Sequence, residues 1–331
     1  MGLNVVYSAD ENYVRHAGAS INSLLTNNKS FDEIQIYIIE NEISTSSKEK
    51  LISLVNDFNR NITFLSMKQL CEKLKKKDDF PLSGYARLFL SQLNHIDKIL
   101  YIDCDTIINQ SLEELWSIDL SSYWVAGVQD NPAKYMVEII GMGDRDRYLN
   151  SGVLLMNLKK WREIDIESKF LNFIDNYNGS VPHHDQGVIN GVCKDNILVL
   201  EPRFNMMPQF LMHSSNQIKK LYDIKHFYTQ EQLIKARKTP VIIHYISKFY
   251  NRPWFENCTH PYRGIYQNFV DKSPFEKVIY KSKTDIKLQA RKAVYNHLPF
   301  ICFYFLERFL DIKRKMNINK NFKNARNDSL G

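Results

Sequence analysis

Short apolar runs alternate along the first part of the chain with stretches whose apolar residues recur at helical spacing. Residues 3–8 (Leu3-Asn4-Val5-Val6-Tyr7-Ser8) predict a strand, and residues 9–13 the loop behind it. Residues 14–25 place Val14, Ala17, Gly18, Ile21, Leu24 and Leu25 on one helical face. A second strand is expected over 34–39, then a helix opened by a Ser46/Glu49 capping box and running to Phe58, then a third strand over 62–65. Strand, helix, strand, helix, strand in that order predicts right-handed parallel βαβ units. Further on, residues 73–79 read as a solvated loop of mixed charge, and residues 84–90 as a buried helix carrying one cation, Arg87. A short capped helix is expected over 111–116, and a strand over 125–128 that ends at Gln129-Asp130. Residues 149–157 form an apolar strand with a polar, glycine-bearing start, and residues 158–161 begin a helix. Pro182-His183-His184-Asp185-Gln186-Gly187 opens a helix over 188–192, and residues 241–244 form a strand ending in His244.

One run organises these pieces. Lys98-Ile99-Leu100-Tyr101-Ile102 reads as a buried strand leading into Asp103-Cys104-Asp105, with Thr106-Ile107-Ile108 behind. Side chains two apart on an extended backbone share a side, so the two carboxylates converge at the carboxyl end of the strand, where α/β folds bind ligands. Such a pair repels unless a cation lies between them; a hard divalent ion with oxygen ligands fits, and it commonly brings phosphate. Arg87 reads either as a surface arginine or as a cation aimed at an anionic ligand, and His244 either as a structural residue or as a ligand.

Charge is unevenly placed. The chain carries +7 in all, but residues 281–331 hold twelve Lys/Arg against four acids, which leaves residues 1–280 near −1. A near-neutral body argues against nucleic acid as a partner, and a basic tail argues for an anionic one. The five cysteines, Cys71, Cys104, Cys193, Cys258 and Cys302, lack C-x-x-C spacing, which disfavours a zinc site or disulfide framework and fits a reducing compartment. No basic segment precedes the first strand, so no signal peptide is expected and the reading is cytoplasmic. Neither G-x-G-x-x-G, G-x-x-x-x-G-K nor G-x-S-x-G occurs, which disfavours dinucleotide oxidoreductases, P-loop NTPases and serine hydrolases.

Six segments carry a resemblance. They are Tyr7-Ser8-Ala9-Asp10-Glu11-Asn12-Tyr13, Tyr85-Ala86-Arg87-Leu88, the run into Asp103-Cys104-Asp105, Leu149-Asn150-Ser151-Gly152-Val153 with its continuation to Trp161, His184-Asp185-Gln186, and His244 with Pro253-Trp254. In this order they resemble glycosyltransferase family 8, retaining enzymes that include bacterial lipopolysaccharide galactosyl- and glucosyltransferases. The resemblance runs from Asn4 to about Trp254. It implies an α/β GT-A fold, a Rossmann-like mixed sheet flanked by helices with a small helical basic C-terminal extension. The catalytic domain would span 1–280, with a nucleotide-sugar half to about 110 and an acceptor half beyond it, and the basic, aromatic helical tail would span 281–331.

Carried over by position, Asp103, Asp105 and His244 would hold Mn²⁺, or Mg²⁺, against the diphosphate of a UDP-hexose. Ala9, Asp10, Asn12 and Tyr13 would meet uracil and ribose. Arg87, Asp130, Asn150, Asp185 and Gln186 would surround the donor sugar, with Cys104 and Ser151 counted in the donor-binding set, and Lys248 or Arg252 would contact the diphosphate. Front-face attack of the acceptor, with Gln186 stabilising positive charge on the sugar, is the mechanism favoured; Asp130 and Asp185 stay open as nucleophiles. Two departures from the family pattern stand out. Gly187 replaces a frequent carboxylate after His-Asp-Gln. After His244, Ser247 stands for a usual glycine, with two extra residues before Pro253-Trp254.

The altered segment after His244 keeps open a catalytically weak UDP-sugar- or glycan-binding protein, and the paired acids alone also suit a nucleotidyltransferase or phosphohydrolase. The acceptor is expected to be a glycan: a lipopolysaccharide core, another lipid-linked oligosaccharide, or a glycosylated adhesin. In the tail, the nine-residue run Leu298-Pro299-Phe300-Ile301-Cys302-Phe303-Tyr304-Phe305-Leu306 is far short of the ~20 residues needed to span a bilayer. It reads either as a helix packed on the body or as an interfacial helix that makes the protein peripheral on the inner face of the cell membrane.

Overall fold

The computed structural model describes residues 1–247, 249–281 and 286–328. Its strands are β1 (Gly2–Asp10), β2 (Glu33–Asn41), β3 (Asn61–Ser66), β4 (Lys98–Ile102), β5 (Thr106–Ile108), β6 (Val125–Gln129), β7 (Leu149–Asn157), β8 (Ile197–Leu200) and β9 (Ile242–His244). Seven of them form one sheet in the order β3-β2-β1-β4-β7-β6-β8, and β5 pairs with β9 in a small antiparallel ribbon.

β1, β2 and β3 pair in parallel and are joined by the helices Val14–Asn27 and Thr45–Asn56, as the βαβ pattern predicts. β1 runs on to Asp10, so the expected loop begins later than residue 9. The second helix is capped by Ser44 and not by the Ser46/Glu49 box. The Glu11 carboxylate, in the turn before the first helix, accepts from the Ser44 amide at 2.8 Å and from the Ser47 hydroxyl at 2.9 Å, which fixes the cap. Residues 73–79 are not wholly solvated either, because Asp78 accepts from the Tyr85 hydroxyl and lies 3.1 Å from His184 Nδ1.

Successive residues of the central strands feed two apolar cores. Leu3, Val5 and Tyr7 of β1, with Leu100 and Ile102 of β4, pack on one side of the sheet. Val6, Ile99 and Tyr101 pack on the other, against Phe89, Trp161 and Phe170. Fully burying each such side chain contributes about 1.5–3 kcal/mol, which is why these strands read as unbroken apolar runs.

The direction of β7 positions the site. It is antiparallel to both neighbours, β4 and β6, while β8 runs parallel to β6. The polar amino end of β7 therefore sits between the carboxyl ends of β4 and β6, beside Asp103 and Asp130.

Two tail helices, Ile286–His297 and Phe300–Asp328, follow the sheet domain. Phe303 is buried and stacks on His213 at 5.0 Å. Arg291 and Tyr295 both donate to Glu307, which ties the two helices together, and Lys292 Nζ donates to the Tyr250 carbonyl at 3.3 Å. One face of the tail thus packs on the body. Ile301, Phe305, Phe309, Ile312 and Met316 project from it 47 to 65 % exposed. Among the described residues no helix is long and apolar enough to cross a membrane.

Candidate active site and metal centre

Asp103 leaves the end of β4, Asp105 lies in the turn before β5, and His244 ends β9. Pairing of Thr106 with His244 in the β5–β9 ribbon brings the histidine to the acids. One ligand atom from each of the three lies within 4.8 Å of the others. His244 Nε2 stands 3.2 Å from Asp105 Oδ1 and 3.7 Å from Asp103 Oδ2. Two carboxylates and one imidazole converging in this way suit a divalent cation.

The backbone beside them leaves room for nothing else. A Cβ on Gly152 of β7 would fall 2.3 Å from His244 Cε1 and 2.6 Å from Asp103 Oδ2. The glycine expected at the start of this strand is required by the close approach of β7 to the ligands themselves.

Each ligand is held from behind. His244 Nδ1 hydrogen-bonds to Asn205 Oδ1 at 3.0 Å, and the Asn205 amide donates to Asn150 Oδ1 at 2.9 Å. With Nδ1–H donated to Asn205, Nε2 is left to face the cluster. Asp103 Oδ1 accepts from Tyr101 and from Arg87 Nη2, at 3.0 and 3.1 Å. Arg252 Nη2 donates to Asp105 Oδ2 at 2.9 Å, and its Nη1 donates to the Tyr13 hydroxyl at 2.7 Å.

These cations set the electrostatics. Burial would push the Asp105 carboxyl up, but Arg252 and then His244 outweigh it and hold the group well below the usual carboxylate range. Burial likewise presses on the His244 imidazolium, yet Asp105 raises the group above its ordinary value.

Arg87 is the hub between this cluster and the next. It is buried, its guanidinium lies 4.0 Å from the centre of the Tyr101 ring, and it donates to the Ser151 and Gly84 carbonyls. Its Nε lies 3.1 Å from Asp185 Oδ2 as an ion pair, but the N–H is aimed at Gly84, so this buried carboxylate oxygen has no hydrogen bond. Burial raises the Asp185 carboxyl, an effect Arg87 only partly offsets. Of the two readings of Arg87, the surface arginine is excluded.

The second cluster is built from amides. Asp130 Oδ2 accepts from Asn150 at 3.0 Å and Gln186 at 3.1 Å, while Oδ1 accepts from the Asn131 amide at 2.7 Å and Gln209 at 3.3 Å. Gln186 Oε1 accepts from the Ser151 amide at 3.0 Å and from Asn150 at 3.3 Å. Asp185 and Gln186 lie in the first turn of the helix His184–Cys193. A Cβ on Gly187 in that turn would lie 2.0 Å from the Pro182 carbonyl oxygen, so no acidic side chain fits where the family pattern often has one. Both clusters open on a cleft of about 740 Å³ whose lining includes Arg87, Asp103, Asn150, Asp185 and Gln186.

Not every residue expected at the site presents its side chain there. The Ala9 methyl, near the end of β1, is buried in the core, which leaves only its backbone to meet a ligand. The Cys104 thiol points away from the flanking acids and donates to the Ser8 carbonyl at 3.1 Å; burial, with Asp103 and Asp105 nearby, pushes it well above the ordinary thiol value and keeps it protonated. Asp10 accepts from the Tyr13 amide at 2.9 Å, Asn12 is exposed, and Lys248 lies outside the described residues. Asn205, which no motif marks, is the residue sequence reasoning missed.

Comparison with known proteins places the chain in a family. Residues 4–258 match the family described as glycosyl transferase family 8. The chain is 31% identical over 274 residues to a putative glycosyltransferase of Haemophilus influenzae, covering 78% of this chain and 74% of that one. It is 28% identical to general stress protein A of Bacillus subtilis, over 81% of this chain and 93% of that protein. Among solved structures, galactosyltransferase LgtC in complex with donor and acceptor sugar analogs superposes with a TM-score of 0.67 at 23% identity, over 83% of this chain and 97% of that one. At that identity the likeness carries the fold, a mixed α/β sheet of GT-A type flanked by helices.

Proposed function

The chain belongs to glycosyl transferase family 8, and on that premise we propose that it moves a hexose, galactose in preference to glucose, from a UDP-sugar to a glycan hydroxyl with retention at the anomeric carbon. The observation that carries this reading is the convergence of Asp103, Asp105 and His244 beside a cleft that also holds Asp185 and Gln186.

Mn²⁺ held by the two aspartates and His244 would offset the charge that develops on the diphosphate as the sugar leaves. Arg252, beside Asp105, supplies a fixed cation toward the same diphosphate. Asp10 at the end of β1, with Asn12 and Tyr13 in the turn after it, would meet the nucleoside. The buried Asp185 oxygen without a hydrogen bond is suited to accept from a donor-sugar hydroxyl.

Front-face attack is the mechanism that best suits the amide cluster. Of the two carboxylates open as nucleophiles, Asp130 already accepts four hydrogen bonds, which lowers its nucleophilicity, and Asp185 is held as an ion pair 3.1 Å from Arg87, while the Gln186 oxygen is aligned by Asn150 and Ser151. The acceptor oxygen bonds to the anomeric carbon on the face from which the diphosphate oxygen departs. Its proton passes to a phosphate oxygen of the leaving UDP, while the Gln186 carbonyl dipole stabilises positive charge on the sugar.

The acceptor reading stays with a glycan on a lipid-linked oligosaccharide or a glycoprotein. The bare apolar face of the tail, next to exposed Arg308 and Lys313, supports docking on an anionic lipid surface. A panel of UDP-sugars with Mn²⁺, scored by UDP release, tests the assignment. Release with one UDP-hexose that stops on chelation and in Asp103→Asn is expected. Cleavage at phosphorus that yields a sugar phosphate, or tight UDP binding with no turnover, would overturn it.

A further inference from the structure

The segment that carries Arg252 is held from outside the sheet domain. Lys292, in the tail helix Ile286–His297, is buried, although a lysine ordinarily keeps its ammonium in water. Its Nζ donates to the Tyr250 carbonyl at 3.3 Å and to Asn251 Oδ1. The same Asn251 donates from Nδ2 to Asn257 Oδ1 at 2.8 Å, and the Cys258 thiol donates to the Asn251 carbonyl at 2.9 Å. Apolar packing follows the same route. Phe249 is buried against Tyr295 and Phe303 of the two tail helices, with ring centres 5.2 and 6.1 Å away.

Arg252 follows directly on that clamp. From the clamped backbone its guanidinium reaches Asp105 and the Tyr13 hydroxyl, and its central carbon lies 5.5 Å from the centre of the Trp254 ring. A long side chain that must order itself around an anion loses affinity to the entropy of doing so. Backbone fixed at Tyr250 and Asn251 supplies part of that order before the anion arrives. Burial lowers the Lys292 ammonium below its ordinary value, so the group sits there at a cost in hydration that its hydrogen bonds to the segment offset.

We infer that Lys292 is a positioning residue for the donor: from the tail it holds Tyr250 and Asn251, and through them the Arg252 guanidinium, so that the tail helix is a working part of diphosphate binding. This inference rests on the reading of the cleft as a UDP-sugar site, and it is tested by binding alone.

Calorimetric titration of UDP into the full chain at saturating Mn²⁺, in wild type, Lys292→Met, Arg252→Met and the double variant, tests it. Lys292→Met should weaken UDP binding about ten-fold, and in the Arg252→Met background the same change should make less than about a two-fold difference. A merely structural role for Lys292 would weaken UDP by the same factor whether or not Arg252 is present. That additivity, an unchanged affinity in a folded Lys292→Met, or an unchanged affinity in Arg252→Met overturns the inference. Should Lys292→Met fail to fold, Asn251→Ala, which removes the receiving oxygen from the other side of the contact, decides by the same cycle with Arg252→Met. Wild-type protein that binds no UDP sinks the UDP-sugar reading and the inference together, whereas wild-type binding with any of those three results sinks the inference alone.

Discussion

Two polar clusters share the carboxyl edge of the sheet, and different forces hold them. Around Asp103, Asp105 and His244 the partners are charges: Arg87 on one acid, Arg252 on the other, and the imidazole between them. Around Asp130 and Gln186 the partners are neutral amides from Asn150, Gln209 and the Ser151 backbone. The charged cluster has its repulsion balanced by groups that a cation or a change of pH can displace. The amide cluster is fixed by the direction of its hydrogen bonds. The two meet at Asn205, which touches His244 on one side and Asn150 on the other. The lesson is a division of labour: an adjustable electrostatic centre stands beside a rigid pocket wall.

Breaking the charged side has the largest expected effect. Asp105→Asn removes one carboxylate of the candidate metal centre and the anionic partner of Arg252, and Mn²⁺-dependent UDP release should fall on the order of a thousand-fold. Arg87→Met leaves Asp103 and Asp185 without their buried cation and should cost about 3–5 kcal/mol of stability, read as a lowered urea midpoint. On the amide side, Gln186→Ala should lower kcat about a hundred-fold with little change in KM for the donor; equal losses in affinity and rate would show that Gln186 binds the ground state. At the junction, Asn205→Ala should weaken metal affinity about 10–100-fold, a defect that added Mn²⁺ repairs.

The smallest effect is the pH response, and it separates the clusters most cleanly. His244 has a raised folded pKa, so its contribution to the metal-free protein is complete below about pH 6.5 and is lost as pH rises through the raised value. Asp105 has a depressed one, so its contribution is complete above about pH 4 and is lost as pH falls through the depressed value. Metal-free protein should therefore melt highest between about pH 4 and 6.5, and Mn²⁺, which takes the unprotonated imidazole, should cancel the alkaline loss. A melting temperature that is flat from mildly acidic to alkaline pH without metal would remove His244 from the balance.

Much of this was legible in the chain. β1 to β3 declared themselves because their apolar runs are bounded by helices of ordinary length, and Asp103 and Asp105 stood out because a buried strand ran straight into them. What stayed hidden depends on distant partners. The direction of β7 cannot be read from Val153-Leu154-Leu155-Met156, which is buried on both faces and so carries no alternation. Arg87 stayed open between a surface and a ligand-facing reading because its carboxylate partners lie on other elements. Ser44 replaced Ser46 as the cap because Glu11, 33 positions away, bonds its amide. Asn205 is one amide in a short turn with no pattern around it, and it gains its role only when β9 places His244 3.0 Å away.

The β5–β9 ribbon sets the order in which the molecule can mature. Arg252 and Asp105 are 147 positions apart, and the histidine joins the acids only through the ribbon. Contacts so remote in sequence form slowly, because the loop between them must close first. During synthesis the acidic pair therefore emerges long before its imidazole, and a nascent chain holds no complete cage for a cation. Uptake of the ion should mark the close of folding, and a chain cut short of β9 would keep much of the sheet yet never acquire it.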